Sequence, residues 1–359
     1  MAKPVLGVIE GFYGPVWPWP QRRALADRLA AHGYSFWHYA PKADAAVRED
    51  WRRGWDDDHA RELQRFGAFC RERGMRFGIG LSPLGLTHAG PDADWQSLAR
   101  RLAELDAIGI DELLLCFDDQ RGDRSDLATE QARIVEWAAA RTHAQRVVVC
   151  PTYYSDDPLL DTLFGPRPPA YLATLGAALD ERIAVYWAGE AICPREILPG
   201  HVERVAQTLR RPPWLWDNYP VNDGPRAREH LHLRAFTGRP QALADVAAAH
   251  AINPALQPVL TAIPALTLPE RYRRGDTFEY TAAFERAAQS VLGDELAACV
   301  TADLPLLEDA GRECLDAQGP SLRARYAAFD HPGAREIVRW LDGELRATTA
   351  APAASDGPD

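Results

Sequence analysis

Two carboxylates stand side by side at Asp118 and Asp119, where the apolar run Glu112-Leu113-Leu114-Leu115-Cys116-Phe117 ends. An unbroken run of this length between helical patterns reads as a central parallel strand covered on both faces. Its last residues then lie at the C-terminal edge, where parallel α/β sheets and barrels place their chemistry. A lone strand-terminal Asp would serve as a helix cap. Capping needs only one, however, and the next helical pattern begins near Ala128. Adjacent carboxylates repel, so one of the pair should hold its proton to higher pH. Catalysis explains the pair better than capping does.

Such an edge needs a sheet to carry it, and eight strand-then-helix units can be read. Strands are expected at 5–11, 35–41, 76–82, 112–117, 146–154, 183–189, 214–220 and 249–254, the last having the weakest pattern. Helices are expected at 21–32, 58–73, 95–108, 128–141, 170–180 and 199–210, with a short one after the eighth strand. Asp56-Asp57-Asp58 reads as a cap and as first-turn charge for the second helix. Eight regular alternations predict an α/β fold, a (β/α)₈ barrel. Beyond about Arg271 only helical patterns remain, at 280–292, 294–301 and 332–345. The expected organisation is a barrel over 1–270, a small C-terminal helical appendage over 271–347 and a disordered tail over 348–359, rich in Ala, Pro, Ser and Asp.

Composition narrows the function. The net charge of −11 argues against nucleic acid and against an anionic membrane surface as partners. No apolar stretch reaches membrane-spanning length, and no signal-peptide core precedes the first strand. The six cysteines show neither metal-ligand spacing nor a C-x-x-C pair. A cytoplasmic location is expected, with no metal or other cofactor.

A barrel points all eight strand ends at one pocket, so the residues there can be pooled. They are Glu10-Gly11, Lys42, Ser82, Asp118-Asp119, Tyr153-Tyr154, Ala188-Gly189, Trp216-Asp217-Asn218, Asn222-Asp223 and Asn253. The pool lacks the paired histidines of a metal-dependent hydrolase barrel. His38 reads as a core histidine, and His59 and His88 have no partner at ligand spacing. Neither a phosphate-binding glycine loop nor a G-x-S-x-G elbow is present. Singly, Trp216 and Tyr154 would be core aromatics, Lys42 a solvated lysine and Asn253-Pro254 a turn. Together, carboxylates, carboxamides and aromatic faces suit a neutral, hydroxyl-rich ligand, that is, a carbohydrate.

Several strings then coincide with one family. Glu10-Gly11-Phe12-Tyr13-Gly14, Tyr39-Ala40-Pro41-Lys42, Asp118-Asp119, Pro151-Thr152-Tyr153-Tyr154-Ser155, Trp216-Asp217-Asn218-Tyr219-Pro220-Val221-Asn222-Asp223 and Asn253-Pro254 follow one another in family order. The chain resembles the O-GlcNAcase-like β-N-acetylglucosaminidases, glycoside hydrolase family eighty-four. The resemblance implies a (β/α)₈ catalytic barrel and retaining hydrolysis of a terminal β-linked N-acetylglucosamine. The nucleophile would be the substrate's own acetamido group, an exception to the two-carboxylate scheme. It assigns Asp118 to orient the acetamido N–H during oxazoline formation and Asp119 to general acid–base work. Gly11 (through its backbone), Lys42, Asn218, Asp223 and Asn253 would hold sugar hydroxyls, while Tyr154 and Trp216 line the acetamido pocket. Both aspartates can reach one sugar only if the chain bends there, because neighbouring strand residues face opposite ways. Members often carry Thr-Gly after the sixth strand where this chain has Ala188-Gly189, so a hydroxyl contact there is not implied. The implied partner is an N-acetylglucosamine-containing glycan or glycoconjugate. A hyaluronidase-type glycosidase and a non-catalytic sugar-binding barrel are the alternative readings.

Overall fold

A computed structural model describes residues 4–344, apart from 88, 89 and 91. His88 and the 348–359 tail of the sequence reading therefore lie outside the described residues. The chain order is β1 (Leu6–Glu10), α1 (Trp19–Ala30), β2 (Tyr34–Tyr39), α2 (Asp57–Glu72), β3 (Arg76–Leu81), α3 (Asp92–Ile108), β4 (Glu112–Cys116) and α4 (Leu127–Ala139). There follow β5 (Arg146–Cys150), α5 (Leu159–Phe164), α6 (Tyr171–Ala178), β6 (Ala184–Trp187), α7 (Pro199–Leu209), β7 (Trp214–Asp217), α8 (Leu243–Val246) and β8 (Ala249–Ile252). The eight strands pair in parallel and in sequence order, and β8 closes onto β1. The expected (β/α)₈ barrel is therefore the fold, and helices continue to the C-terminal end of the described chain.

Register decides which residues meet at the mouth. Glu10 pairs with Tyr39, Leu81 with Leu115, Cys116 with Cys150, and Asp217 with Ile252. The residues that follow each strand are thereby brought to one rim. Several strands stop earlier than their apolar patterns suggest. β5 ends at Cys150 because Pro151 has no N–H to extend the ladder, so Thr152 to Tyr154 are loop residues that packing buries.

The opposite end is closed by an ion cluster around a buried Glu112. Glu112, fully buried at the start of β4, faces His38 Nε2 at 2.7 Å, Arg76 Nε at 2.7 Å and Arg146 Nη1 at 2.8 Å. His38 Nδ1 lies 2.8 Å from the Tyr186 hydroxyl. Burial alone would raise the Glu112 carboxyl, but His38 and Arg76 bring it down to about 2.

Helix ends follow local rules. Asp56 caps α2 by accepting the His59 N–H at 2.8 Å, and Asp57 and Asp58 sit in the first turn. The short helix expected after β8 is instead the long α9 (Pro258–Arg274), which carries Pro264 and Pro269 inside it. Pro269 cannot donate to the Ala265 carbonyl, and the Tyr34 hydroxyl does so instead, at 2.8 Å. α9 runs straight through position 270, where the barrel was expected to end. Its first turn is held by Glu336, which accepts the Val259 and Leu260 N–H groups at 3.0 Å. Glu336 belongs to the last of the helices α10 (Tyr280–Leu292), α11 (Asp294–Leu304), α12 (Gly319–Ala327) and α13 (Pro332–Leu341). Among the described residues no helix is long and apolar enough to cross a membrane.

Candidate active site

At the C-terminal mouth a pocket opens. Gly11, Lys42, Asp118, Asp119, Tyr154, Trp216, Asn218, Asp223 and Asn253 all line it. Other members of the strand-end pool turn elsewhere. Glu10 is fully buried against Arg22, at 2.7 and 2.8 Å, and against Trp37 Nε1 at 2.7 Å. Asp217 is held by Arg239, at 2.6 and 2.7 Å, and by His250 at 2.9 Å. Both are structural ion pairs behind the rim.

The two adjacent aspartates reach one pocket because the backbone bends between them. Asp119 has φ +59°, the left-handed region that Asp and Asn tolerate better than most residues. Asp118 Oδ2 is ion-paired with the Lys42 ammonium, and both side chains are almost wholly buried. Asp118 Oδ1 is also buried, yet no donor among the described residues reaches it. A buried carboxylate oxygen without a donor is costly unless a ligand supplies one. Asp119 Oδ2 accepts the Tyr13 hydroxyl at 2.5 Å. Burial, and then the charge of Asp118, push the Asp119 carboxyl upward, against the pull of Lys42, Tyr13 and Arg48.

The remaining walls form a hydrogen-bonded ring. Asn253 Oδ1 accepts the Gly11 N–H at 3.1 Å, and Asn253 Nδ2 donates to Asn218 Oδ1 at 2.9 Å. Asn218 Oδ1 also takes the Trp216 indole N–H at 2.9 Å, and Asn218 Nδ2 donates to the Ile192 carbonyl at 2.8 Å. Trp216 packs flat against Gly11, where an added Cβ would come within 2.1 Å of the indole. No side chain fits at position 11 unless the ring moves. Asp223 accepts the Tyr13 N–H at 2.6 Å, but burial still pushes its carboxyl up to about 7.

Two residues with a part in this geometry went unread in the sequence. Tyr13 bridges Asp119 through its hydroxyl and Asp223 through its N–H. Arg48, buried behind the pocket with its guanidinium 5.7 Å from the Tyr13 ring, adds positive charge near both catalytic-pair candidates. Tyr13 sits inside the Glu10-to-Gly14 string and Arg48 six residues after Lys42, so proximity to motif residues was the available signal.

Asp223 and Asp58 make a matched test of this assignment. Asp223→Ala is expected to lower kcat/KM by about 10²-fold through a raised KM, as a buried acceptor is lost. Asp58, exposed and paired with Arg61, should give an Ala variant near wild type. Equal losses in steady-state kinetics would remove the rim assignment.

Closed barrel and polar mouth together define a (β/α)₈ protein whose candidate site lies at the C-terminal ends of the strands. The family follows from comparison. The family model for β-N-acetylglucosaminidase matches residues 6–303, and the chain belongs to that family of glycoside hydrolases. It is 29% identical over 245 residues to the Protein O-GlcNAcase of Rattus norvegicus, covering 65% of this chain and 26% of that protein. For the Protein O-GlcNAcase of Mus musculus the figures are 30% over 247 residues, with coverage of 65% and 26%. The chain thus spans about a quarter of the length of these curated relatives. A mutant of the Thermobaculum terrenum O-GlcNAc hydrolase shares the fold, with a TM-score of 0.78 at 24% identity, over 94% of this chain and 80% of that one.

Proposed function

We propose that this protein is a retaining exo-β-N-acetylglucosaminidase. It would remove terminal β-linked N-acetylglucosamine from a glycan or glycoconjugate by substrate-assisted catalysis. The names of its relatives, protein O-GlcNAcase and O-GlcNAc hydrolase, agree with that substrate class. The observation that carries the mechanism is Asp118, fixed through Oδ2 by Lys42 while Oδ1 stays buried without a donor. The acetamido N–H of a bound sugar is a donor of the kind this oxygen lacks. Accepting it makes the acetamido carbonyl oxygen a better nucleophile toward C1, and an oxazoline forms as the glycosidic bond breaks.

Asp119 protonates the departing glycosidic oxygen. Its raised proton affinity keeps it available as an acid. It then takes a proton from the water that attacks C1, and the oxazoline opens with overall retention. Tyr13 orients the carboxyl throughout. Asn218, Asp223, Asn253, Lys42 and the Gly11 carbonyl serve the sugar hydroxyls, and Trp216 with Tyr154 encloses the acetamido methyl. The six free thiols suit a reducing compartment, and we assign the activity to the cytoplasm.

The test is hydrolysis of an aryl β-N-acetylglucosaminide beside the matching aryl β-glucoside. With a 2-hydroxyl in place of the acetamido group no oxazoline can form, so the glucoside should be turned over at least about 10³-fold more slowly. Comparable rates would eliminate substrate assistance.

A further inference from the structure

Between β7 and α8 the chain runs from 218 to 242 with one short 3₁₀ turn, Ala227–Glu229, as its only helix or strand. This loop carries Asn218 and Asp223 into the sugar pocket. A segment this long must find partners for its backbone outside the sheet. Many of them come from the C-terminal helices. The six-residue π-helical turn Pro305–Ala310, which follows α11, presents its Leu307 carbonyl to the Leu231 N–H at 2.9 Å. Glu308, next in that turn, accepts the Leu233 and Arg234 N–H groups through Oε2, each at 3.1 Å.

Two short relays join this grip to the pocket. The Arg234 carbonyl accepts the Tyr219 hydroxyl at 2.7 Å, and Tyr219 follows Asn218. The Glu308 carbonyl lies 2.7 Å from His230 Nδ1, and the His230 carbonyl accepts the Asn222 Nδ2 donor at 3.0 Å, next to Asp223. The Arg234–Asp309 ion pair at 2.5 Å has an exposed partner and holds the loop less firmly, while Phe236 is tied separately, its N–H donating to the buried Thr267 Oγ1 at 2.9 Å. The Glu308 side chain is 12% exposed.

From this geometry we infer that Glu308 is a positioning residue for the sugar site. Its carboxylate fixes residues 233 and 234, and through the Arg234–Tyr219 relay it sets where Asn218 stands in the pocket, while its main-chain carbonyl holds His230 and so Asn222 beside Asp223. The C-terminal helical region is then a working part of the site. This inference rests on the sugar-binding role given to Asn218 under the proposed function.

The experiment compares Glu308→Ala, Glu308→Asp and Glu308→Gln in the full chain. Kinetics on the aryl β-N-acetylglucosaminide are paired with hydrogen exchange of amides 219–236 in the absence of substrate. Glu308→Ala should raise KM about tenfold with kcat within about threefold, and should speed exchange across the loop. Glu308→Asp, with a shorter reach, should give a milder form of both effects if the Ala variant does not fold. Glu308→Gln should stay within about threefold of wild type, since its amide carbonyl can accept the same two N–H groups. In an Asn218→Ala background the KM effect of Glu308→Ala should shrink to about twofold, because the two act on one contact. An undiminished effect in that background, or a Gln variant as impaired as the Ala variant, overturns the inference. Absence of turnover by wild type would instead fault the proposed function. Loop exchange then still decides the grip, with faster exchange in the Ala and Asp variants supporting it and unchanged exchange overturning it.

Discussion

Asp119→Asn is expected to spare substrates with good leaving groups and to cost about 10²–10⁴-fold on poor ones. That is the range a general acid supplies. An activated phenol departs without a proton, so the first step survives and oxazoline breakdown becomes limiting. Azide needs no general base, and adding it should restore turnover and yield a β-glycosyl azide. The pH profile should change as well. Burial and the neighbouring Asp118 raise the Asp119 carboxyl, so in wild type kcat/KM for poor leaving groups should fall as pH rises through that raised pKa and the acid is lost. The Asn variant should lack this alkaline limb. The measurement is kcat/KM against leaving-group pKa, with and without azide, over a range of pH.

Asp118→Asn should behave in the opposite way. The carboxylate that would receive the acetamido N–H becomes a neutral amide, and Lys42 loses the anion it is paired with. Formation of the nucleophile is weakened, so the rate should fall about 10²–10³-fold whatever the leaving group, the size of effect seen when one preorganised electrostatic contact is removed. No intermediate accumulates, so azide should not help. Azide rescue and steep leaving-group dependence in this variant, with neither in the Asp119 variant, would mean that the two roles are exchanged.

The barrel was readable because β4 and its neighbours are short apolar runs set between helical patterns, and even the weakly patterned β8 could be read from Ala249-His250-Ala251-Ile252 ahead of a helix. Element ends were less readable, for physical reasons. Tyr153 and Tyr154 look like strand continuation but are buried by loop packing after Pro151 ends the ladder. The helix expected to be short after β8 runs on through Pro264 and Pro269, and the carbonyl left by Pro269 is taken by Tyr34, a residue far away in sequence. The pocket lining was legible wherever strand-end position and residue type agreed. Glu10 and Asp217 satisfied both conditions and still face away from the pocket, because Arg22 and Arg239 claim them from outside the barrel. Tyr13 and Arg48 could not be separated from core and surface residues by spacing. Their part depends on the fold of a loop, which periodicity does not report.

The left-handed backbone at Asp119 also bears on how such a chain can drift. Only Gly, Asn and Asp enter that conformation readily, and β-branched residues are strongly disfavoured there. Substitutions that respect the bend therefore keep the barrel and the sugar pocket while removing the proton donor. Asn and Gly each lie one nucleotide from an Asp codon. Under the role proposed for Asp119, loss of hydrolysis with retained sugar binding is thus a single mutational step at position 119. Under the proposed function, the same step would leave a protein that holds its sugar without cleaving it efficiently.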